Sequence, residues 1–264
     1  MGASLDSPLP EGVFGFDLES YGKNDGPGRT GLGVNIPGFI WSTPWSFFNS
    51  KIEFLAVFPF AHVDGGGLNS VGAATQAYGP IIAHDFGNGW TGGVSAFIRT
   101  PDPTNTNVAG GPGAYLGHNV PAGDFRESLQ WTGSWGGMTG LTINENGYYN
   151  SDFHNSADPF TNDLLGGDFS IQKTWGKVSV GFTGYGFTAL DNRVFAGGRA
   201  SAVELGGLVA YDFGRVIVQG VVTRSVLEEI NGINFPAAYE TRGQLKLVVP
   251  LYVAPPAAAV VARY

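Results

Sequence analysis

Apolar and polar residues alternate with a period of two along most of the chain. Helical spacing, with apolar positions at i, i+3, i+4 and i+7, is scarce. Gly, Asn, Asp and Pro interrupt the alternation at intervals. The pattern predicts about twelve strands: 12–22, 31–42, 50–63, 73–86, 89–99, 123–135, 137–149, 162–175, 177–190, 199–213, 215–226 and 237–252. They exceed the ~5–6 residues of a mean globular strand and match the ~9–11 that a tilted strand needs to cross a bilayer. The faces separate cleanly in several of them. Ile52, Phe54, Ala56, Phe58 and Phe60 oppose a face that begins with Lys51 and Glu53. Leu245, Leu247, Val249 and Leu251 oppose Glu240, Arg242, Gln244 and Lys246, and Leu129, Trp131 and Trp135 oppose Arg126, Ser128, Gln130 and Thr132.

The connections alternate in length. Short ones fall at 85–89, 135–137, 175–177 and 212–215, with 44–50 slightly longer. Long ones fall at 23–30, 64–72, 100–122, 150–161, 191–198 and 227–236. Tight turns on one side and long loops on the other are the layout of an all-β, antiparallel up-and-down transmembrane β-barrel. In an outer membrane the short turns and both termini face the periplasm. The barrel is expected over 1–252 as a single domain, with 253–264 (VAPPAAAVVARY) as an Ala/Pro-rich tail or partial plug. Tyr252 and Tyr264 are both candidates for the terminal aromatic that barrel-assembly machinery reads.

Composition narrows the classes. Gly is 42 of 264 residues, above the usual ~7 %, and charged residues are 14 %, below the usual ~25 %. Aromatics reach 13 %, which argues against disorder. Net charge is −8 with no basic patch, which argues against nucleic acid. With no Cys, thiol chemistry and Cys-based zinc sites are excluded. No apolar run approaches the ~18 residues of a membrane helix, and no signal peptide is legible; for an exported protein it is expected to have been removed. The six tryptophans, Trp41, Trp45, Trp90, Trp131, Trp135 and Trp175, all lie in or near the short connections. They are expected at a membrane interface, where an apolar ring with one N–H is favoured.

Two segments carry a resemblance. Val34-Asn35-Ile36-Pro37-Gly38-Phe39-Ile40-Trp41-Ser42-Thr43-Pro44-Trp45 is followed by Phe54-Leu55-Ala56-Val57-Phe58-Pro59-Phe60-Ala61-His62-Val63-Asp64, and the chain closes with 240–252, ETRGQLKLVVPLY. They resemble the proteobacterial outer-membrane family known as "MetA pathway of phenol degradation" proteins. There, a W-x-T-P-W turn precedes a strand ending P-F-x-x-V-D. The specific words lie in about 35–64 and 236–252; the middle matches in period, and the tail departs from the pattern. The resemblance implies a channel for passive uptake of small hydrophobic or aromatic compounds. It also implies outer-membrane lipid, lipopolysaccharide, assembly machinery and a small solute as partners, and no catalytic residues.

Direct chemistry is sparse. His62, His84, His118 and His154 lack metal-ligand spacing, although His62 and His84 could share neighbouring strands. No G-x-S-x-G elbow occurs, and Ser70 near His62 or Ser156 near His154 is a weak barrel-hydrolase pair. Asn24-Asp25, Asp102 with Asn105 and Asn107, Asp152 with Asn155 and Asp158, and Asp191-Asn192 read as turn chemistry or as loose oxygen ligands for divalent ions. No metal or cofactor is expected. The candidate lumen set is Asp17, Glu19, Glu53, Arg99, Asp124, Arg126, Gln130, Asp168, Gln172, Glu204, Gln219, Glu240, Arg242 and Lys246. Asp17 and Glu19 are expected to meet Arg242 and Lys246 across the closing seam. The set reads either as a solute-contacting lining or as a structural network filling a narrow barrel. Loop 100–122 is the candidate constriction, and Phe153 and Phe160 are candidate docking points for a solute. A non-transporting barrel that presents its loops fits the same sequence.

Overall fold

The computed structural model describes residues 7–26, 31–65, 68–100, 121–151, 163–190, 200–230, 233–234 and 239–255. All regular elements among them are strands. In chain order they are β1 (Gly12–Asn24), β2 (Gly31–Phe47), β3 (Ser50–Val57), β4 (Phe60–Gly65), β5 (Leu68–Ala73), β6 (Ala77–Gly87), β7 (Trp90–Arg99) and β8 (Ala122–Trp135). The remainder are β9 (Met138–Ser151), β10 (Leu164–Trp175), β11 (Val178–Ala189), β12 (Ala200–Asp212), β13 (Ile217–Ile230), β14 (Ile233–Asn234) and β15 (Glu240–Val253).

Twelve of these form a closed antiparallel wall. Neighbours run β1, β2, β3, β6, β7, β8, β9, β10, β11, β12, β13 and β15, and β15 returns to β1 over a ladder from Gly12↔Val253 to Asn24↔Glu240. Closure leaves no edge strand in the ring, so the backbone groups of the wall are paired within the ladder. The expected 50–63 strand is one strand in register but not in hydrogen bonding. Gly38↔Val57 and Asn35↔Phe60 keep the same offset on β2, while Pro59, which has no N–H, interrupts the ladder between β3 and β4. Ala74–Gln76 interrupts the next strand with a one-residue change of offset, from Val57↔Ala77 to Phe60↔Ala73, and β4 and β5 form a hairpin that prolongs the wall on the long-loop side.

The short turns follow from their residues. Gly136 and Gly137 have φ of 59° and 82°, the two left-handed positions of a tight type I′ hairpin. The β2–β3 turn places Phe48 and Asn49 at φ 47° and 62°; an aromatic here is costly, and its ring packs edge-on against Phe47.

Buried positions alternate with exposed ones, which fixes the inward face. On β1–β3, β6 and β7 that face is mainly apolar: Phe14, Phe16, Ile40, Leu55, Ala77, Ile81, Ala83 and Phe97 form one cluster, with Ser42, Glu53 and Ser95 buried beside it. On β8–β13 and β15 it is polar, with Asp124, Ser128, Asn144, Ser170, Gln172, Glu204, Gln219, Thr223 and Lys246 all buried. The lumen is therefore divided lengthwise, one half of its wall resembling a soluble core and the other a hydrogen-bonded polar surface.

Candidate functional site

The polar half is built from alternate residues of seven consecutive strands, and its side chains hold one another. Asp124 on β8, 1 % exposed, accepts Arg126 Nε at 3.0 Å and Nη2 at 2.7 Å, and Arg99 Nη2 from β7 at 2.8 Å. Arg99 also donates to Asn150 Oδ1 at 2.8 Å, and the Arg126 guanidinium lies 5.6 Å from the Phe97 ring centroid. Asn146 bridges β9 and β10 by donating to Asn144 and Asp168. Tyr185 and Thr223 both donate to Glu204. Arg242 pairs with Glu240 at 2.5 Å and donates to Ser20 at 2.8 Å. Each buried charge thus has a partner or a donor within reach, as a low-dielectric interior demands.

A cavity of about 250 Å³ opens within this half. Arg126, Asp168, Tyr148, Tyr185, Phe187 and Val221 are among its lining residues. Gly166 makes room for one of these rings: a Cβ at that position would stand 2.4 Å from Tyr148 Cζ and Oη.

The apolar half is closed near the short turns by the segment before β1. Leu9 packs against the Phe14–Phe97 cluster. Its N–H donates to Glu53 Oε1 at 2.8 Å, and its carbonyl accepts Ser42 Oγ at 3.0 Å. Further along, Ser7 Oγ lies 3.0 Å from Thr91 Oγ1. The strap therefore reaches from β1 past β2, β3 and β6 to β7. Nothing in the alternation of the sequence announces this segment; the one cue is an apolar Leu9 between two prolines.

The register places Glu53, Arg99, Asp124, Arg126, Gln130, Asp168, Gln172, Glu204, Gln219, Glu240, Arg242 and Lys246 on the inward parity. Asp17 and Glu19 need correction. They pair with Leu247 and Leu245, while Leu18 and Ser20 pair with Lys246 and Gln244. Both acids therefore sit on the outer face, the face of Trp41 and Phe39. The reason is the apolar half-lumen: Phe14, Phe16 and Leu18 turn inward to the cluster and its surroundings, which forces their odd-numbered neighbours outward. Asn35 Nδ2 supports Asp17 at 2.8 Å. Two further acids, Glu127 and Glu145, also face outward, paired with Val94 and with Leu129 and Phe169. The same outer wall bears a shallow groove of about 570 Å³ lined by Glu19, Tyr21, His62 and Leu245.

All six tryptophans lie on the outer wall near the short turns. Trp41 and Trp45 meet edge to face at 5.5 Å, and Trp90 lies 6.4 Å from Trp131. His62 and His84 are not neighbours. His62 stands near the long loops beside Tyr21 and Asp64, whereas His84 stands near the short turns against Ser50 and Phe86. Among the described residues no three His, Asp or Glu side chains group as metal ligands. Asp25 is bound by Arg224 across the seam. The side chain of Ser70, loop 100–122 beyond its end residues, His118, His154, Ser156, Phe153, Phe160, the loop Asp/Asn clusters after 100 and the tail beyond 255 lie outside the described residues.

The fold is shared with known barrels. The COG4313 outer membrane channel from Pseudomonas putida F1 superposes with a TM-score of 0.72 at 13 % identity, over 94 % of this chain and 99 % of that one. The NanC porin superposes with a TM-score of 0.50 at 9 % identity, over 89 % of this chain and 99 % of that one. No curated protein sequence matches the chain. The profile of one family matches residues 16–225, which takes in the whole wall except the first residues of β1, the end of β13 and the closing β15. The chain belongs to that family, described as "Putative MetA-pathway of phenol degradation".

Proposed function

We propose that this chain is a bacterial outer-membrane channel for the passive, non-enzymatic uptake of small hydrophobic or aromatic molecules. The observation that carries the reading is the aromatic-lined cavity of about 250 Å³ inside a closed twelve-strand wall. About 8 strands leave a filled interior and 16–18 an aqueous channel, so twelve suit a narrow path for a small solute. The outer tryptophans favour a bilayer around the wall. Lipid and lipopolysaccharide against that wall, and the barrel-assembly machinery during biogenesis, are part of the same proposal.

A second reading is favoured by the strap. Leu9, held by Glu53 and Ser42, fills the short-turn end, as expected of a plugged barrel whose role lies in its loops. Single-channel recording in planar bilayers separates the two, using protein refolded in detergent with β-rich circular dichroism. Steady conductance supports the channel. Insertion without conductance, with no solute uptake into liposomes, overturns it in favour of the plugged barrel.

A further inference from the structure

Two charged side chains line the cavity of the polar half, and the wall already occupies both. Arg126 is held by Asp124 through two hydrogen bonds. Asp168 accepts Asn146 Nδ2 at 2.7 Å and lies in the field of Lys246. Three hydroxyls of the lining are committed as well: Tyr185 and Thr223 donate to Glu204, and Thr183 donates to the Phe169 carbonyl. The polar groups left open to the cavity are uncharged. Among the described residues Tyr148 Oη has no hydrogen-bond partner, and neither has the Gln244 amide. Asn150, on the same inward face of β9 as Tyr148, accepts Arg99 Nη2 on its Oδ1 at 2.8 Å. A guanidinium only donates, so it turns the amide oxygen toward itself and leaves Asn150 Nδ2 as a donor for the cavity.

We propose that this cavity binds an uncharged single-ring aromatic molecule bearing a carbonyl oxygen, an aryl aldehyde, ketone or ester, and discriminates against the corresponding carboxylate. The inference deepens the channel reading and rests on it for access of the solute to the lumen. The carbonyl oxygen accepts from Tyr148 Oη and Asn150 Nδ2, and the ring packs against Tyr185, Phe187 and Val221. An apolar cavity of about 150 Å³ already holds a benzene ring, so about 250 Å³ leaves room for a ring with a short substituent. A carboxylate gives up its hydration on entering and meets no spare counter-charge, because Arg126 is spent on Asp124. An apolar ring enters without that cost but leaves both donors of β9 without an acceptor.

The test is calorimetric titration of the full chain, refolded in detergent at neutral pH, with acetophenone, ethylbenzene and benzoate, each corrected against empty micelles. The expected result is saturable binding of acetophenone, about tenfold tighter than ethylbenzene and at least about tenfold tighter than benzoate. Tyr148→Phe removes a hydroxyl that holds nothing in the protein. It is expected to cut the preference for acetophenone over ethylbenzene by about three- to tenfold. Asn150→Asp keeps an acceptor for Arg99 and removes the donor; it is expected to cut the same preference by a similar factor and serves if the phenylalanine variant does not refold. Preferences are ratios within one variant, and the share of each probe taken up by micelles is common to all variants, so neither a partial loss of fold nor detergent imitates the effect. Benzoate bound as tightly as acetophenone, ethylbenzene bound as tightly as acetophenone, no binding, or an unchanged ratio in Tyr148→Phe overturns the site. Selective binding of acetophenone in a barrel that never conducts keeps the site and removes the channel; conductance without selectivity does the reverse.

Discussion

Replacing Glu53 by Ala is the most direct test of how the lumen is closed. Glu53 and Ser42 are both 0 % exposed, and together they hold the two backbone groups of Leu9. A hydrogen bond to a charged group contributes about 1.5–3 kcal/mol, and one to a neutral hydroxyl about 0.5–1.5 kcal/mol. Removing the carboxylate while the Leu9 N–H stays in place shifts the balance between docked and released strap by roughly 10- to 150-fold. Ser42→Ala shifts it less, and the pair shifts it more than either alone. The chain has no Cys, so Ser7→Cys supplies a single label. Maleimide modification of that thiol in the refolded barrel reports strap release directly, and open probability in bilayers reports its effect on the path. Both are expected to rise by at least about tenfold in Glu53→Ala. Labelling and open probability that match the parent refute the argument that Glu53 holds the strap.

Three further outcomes are expected. Gly166→Leu pushes the Tyr148 ring into the cavity; it lowers conductance and costs about 1–3 kcal/mol in urea unfolding. Asp124→Asn leaves Arg99 and Arg126 facing each other; because both are partly exposed, the loss is about 2 kcal/mol rather than that of a fully buried pair, and the reversal potential moves toward anions. Asp17→Leu with Glu19→Leu leaves conductance unchanged and unfolding at least as hard as in the parent, because both side chains lie outside. Altered ion selectivity in that variant would place them in the lumen after all.

Much of the architecture is legible in the sequence, since period-two alternation and the spacing of Gly, Asn and Pro reflect the pleat and the turns directly. The boundaries of β9, 138–151 against 137–149 expected, illustrate this. Pro59 was visible too, yet what it does, breaking the ladder without shifting the register, is a property of the paired strand. The inward parity of Arg126, Gln130, Arg242 and Lys246 is readable because each opposes Leu or Trp on its own strand. On β1 that rule inverts. Phe14, Phe16 and Leu18 alternate with Asp17 and Glu19, and the strand alone cannot say which set meets lipid; the choice is made by Ile40, Leu55 and Leu9, far away in sequence or outside any strand. The cavity was illegible for the same reason. Tyr148, Tyr185 and Gly166 are unremarkable in isolation and acquire a role only through their register.

The β1–β15 seam has a consequence for how the molecule comes into being. Residues 12–24 and 240–253 meet over thirteen paired positions, so the last ladder to form joins segments more than two hundred residues apart. Contacts of such sequence separation are slow to find. Until β15 arrives, β1 and β13 are open edges with unpaired amides and carbonyls, a template for aggregation and intolerable in a bilayer. The barrel therefore has no useful partial form: a chain released or cut before residue 240 keeps most of its sequence and forfeits its ring. Such chains are expected to be held by chaperones and degraded rather than inserted, which makes the final strand the checkpoint of the whole assembly.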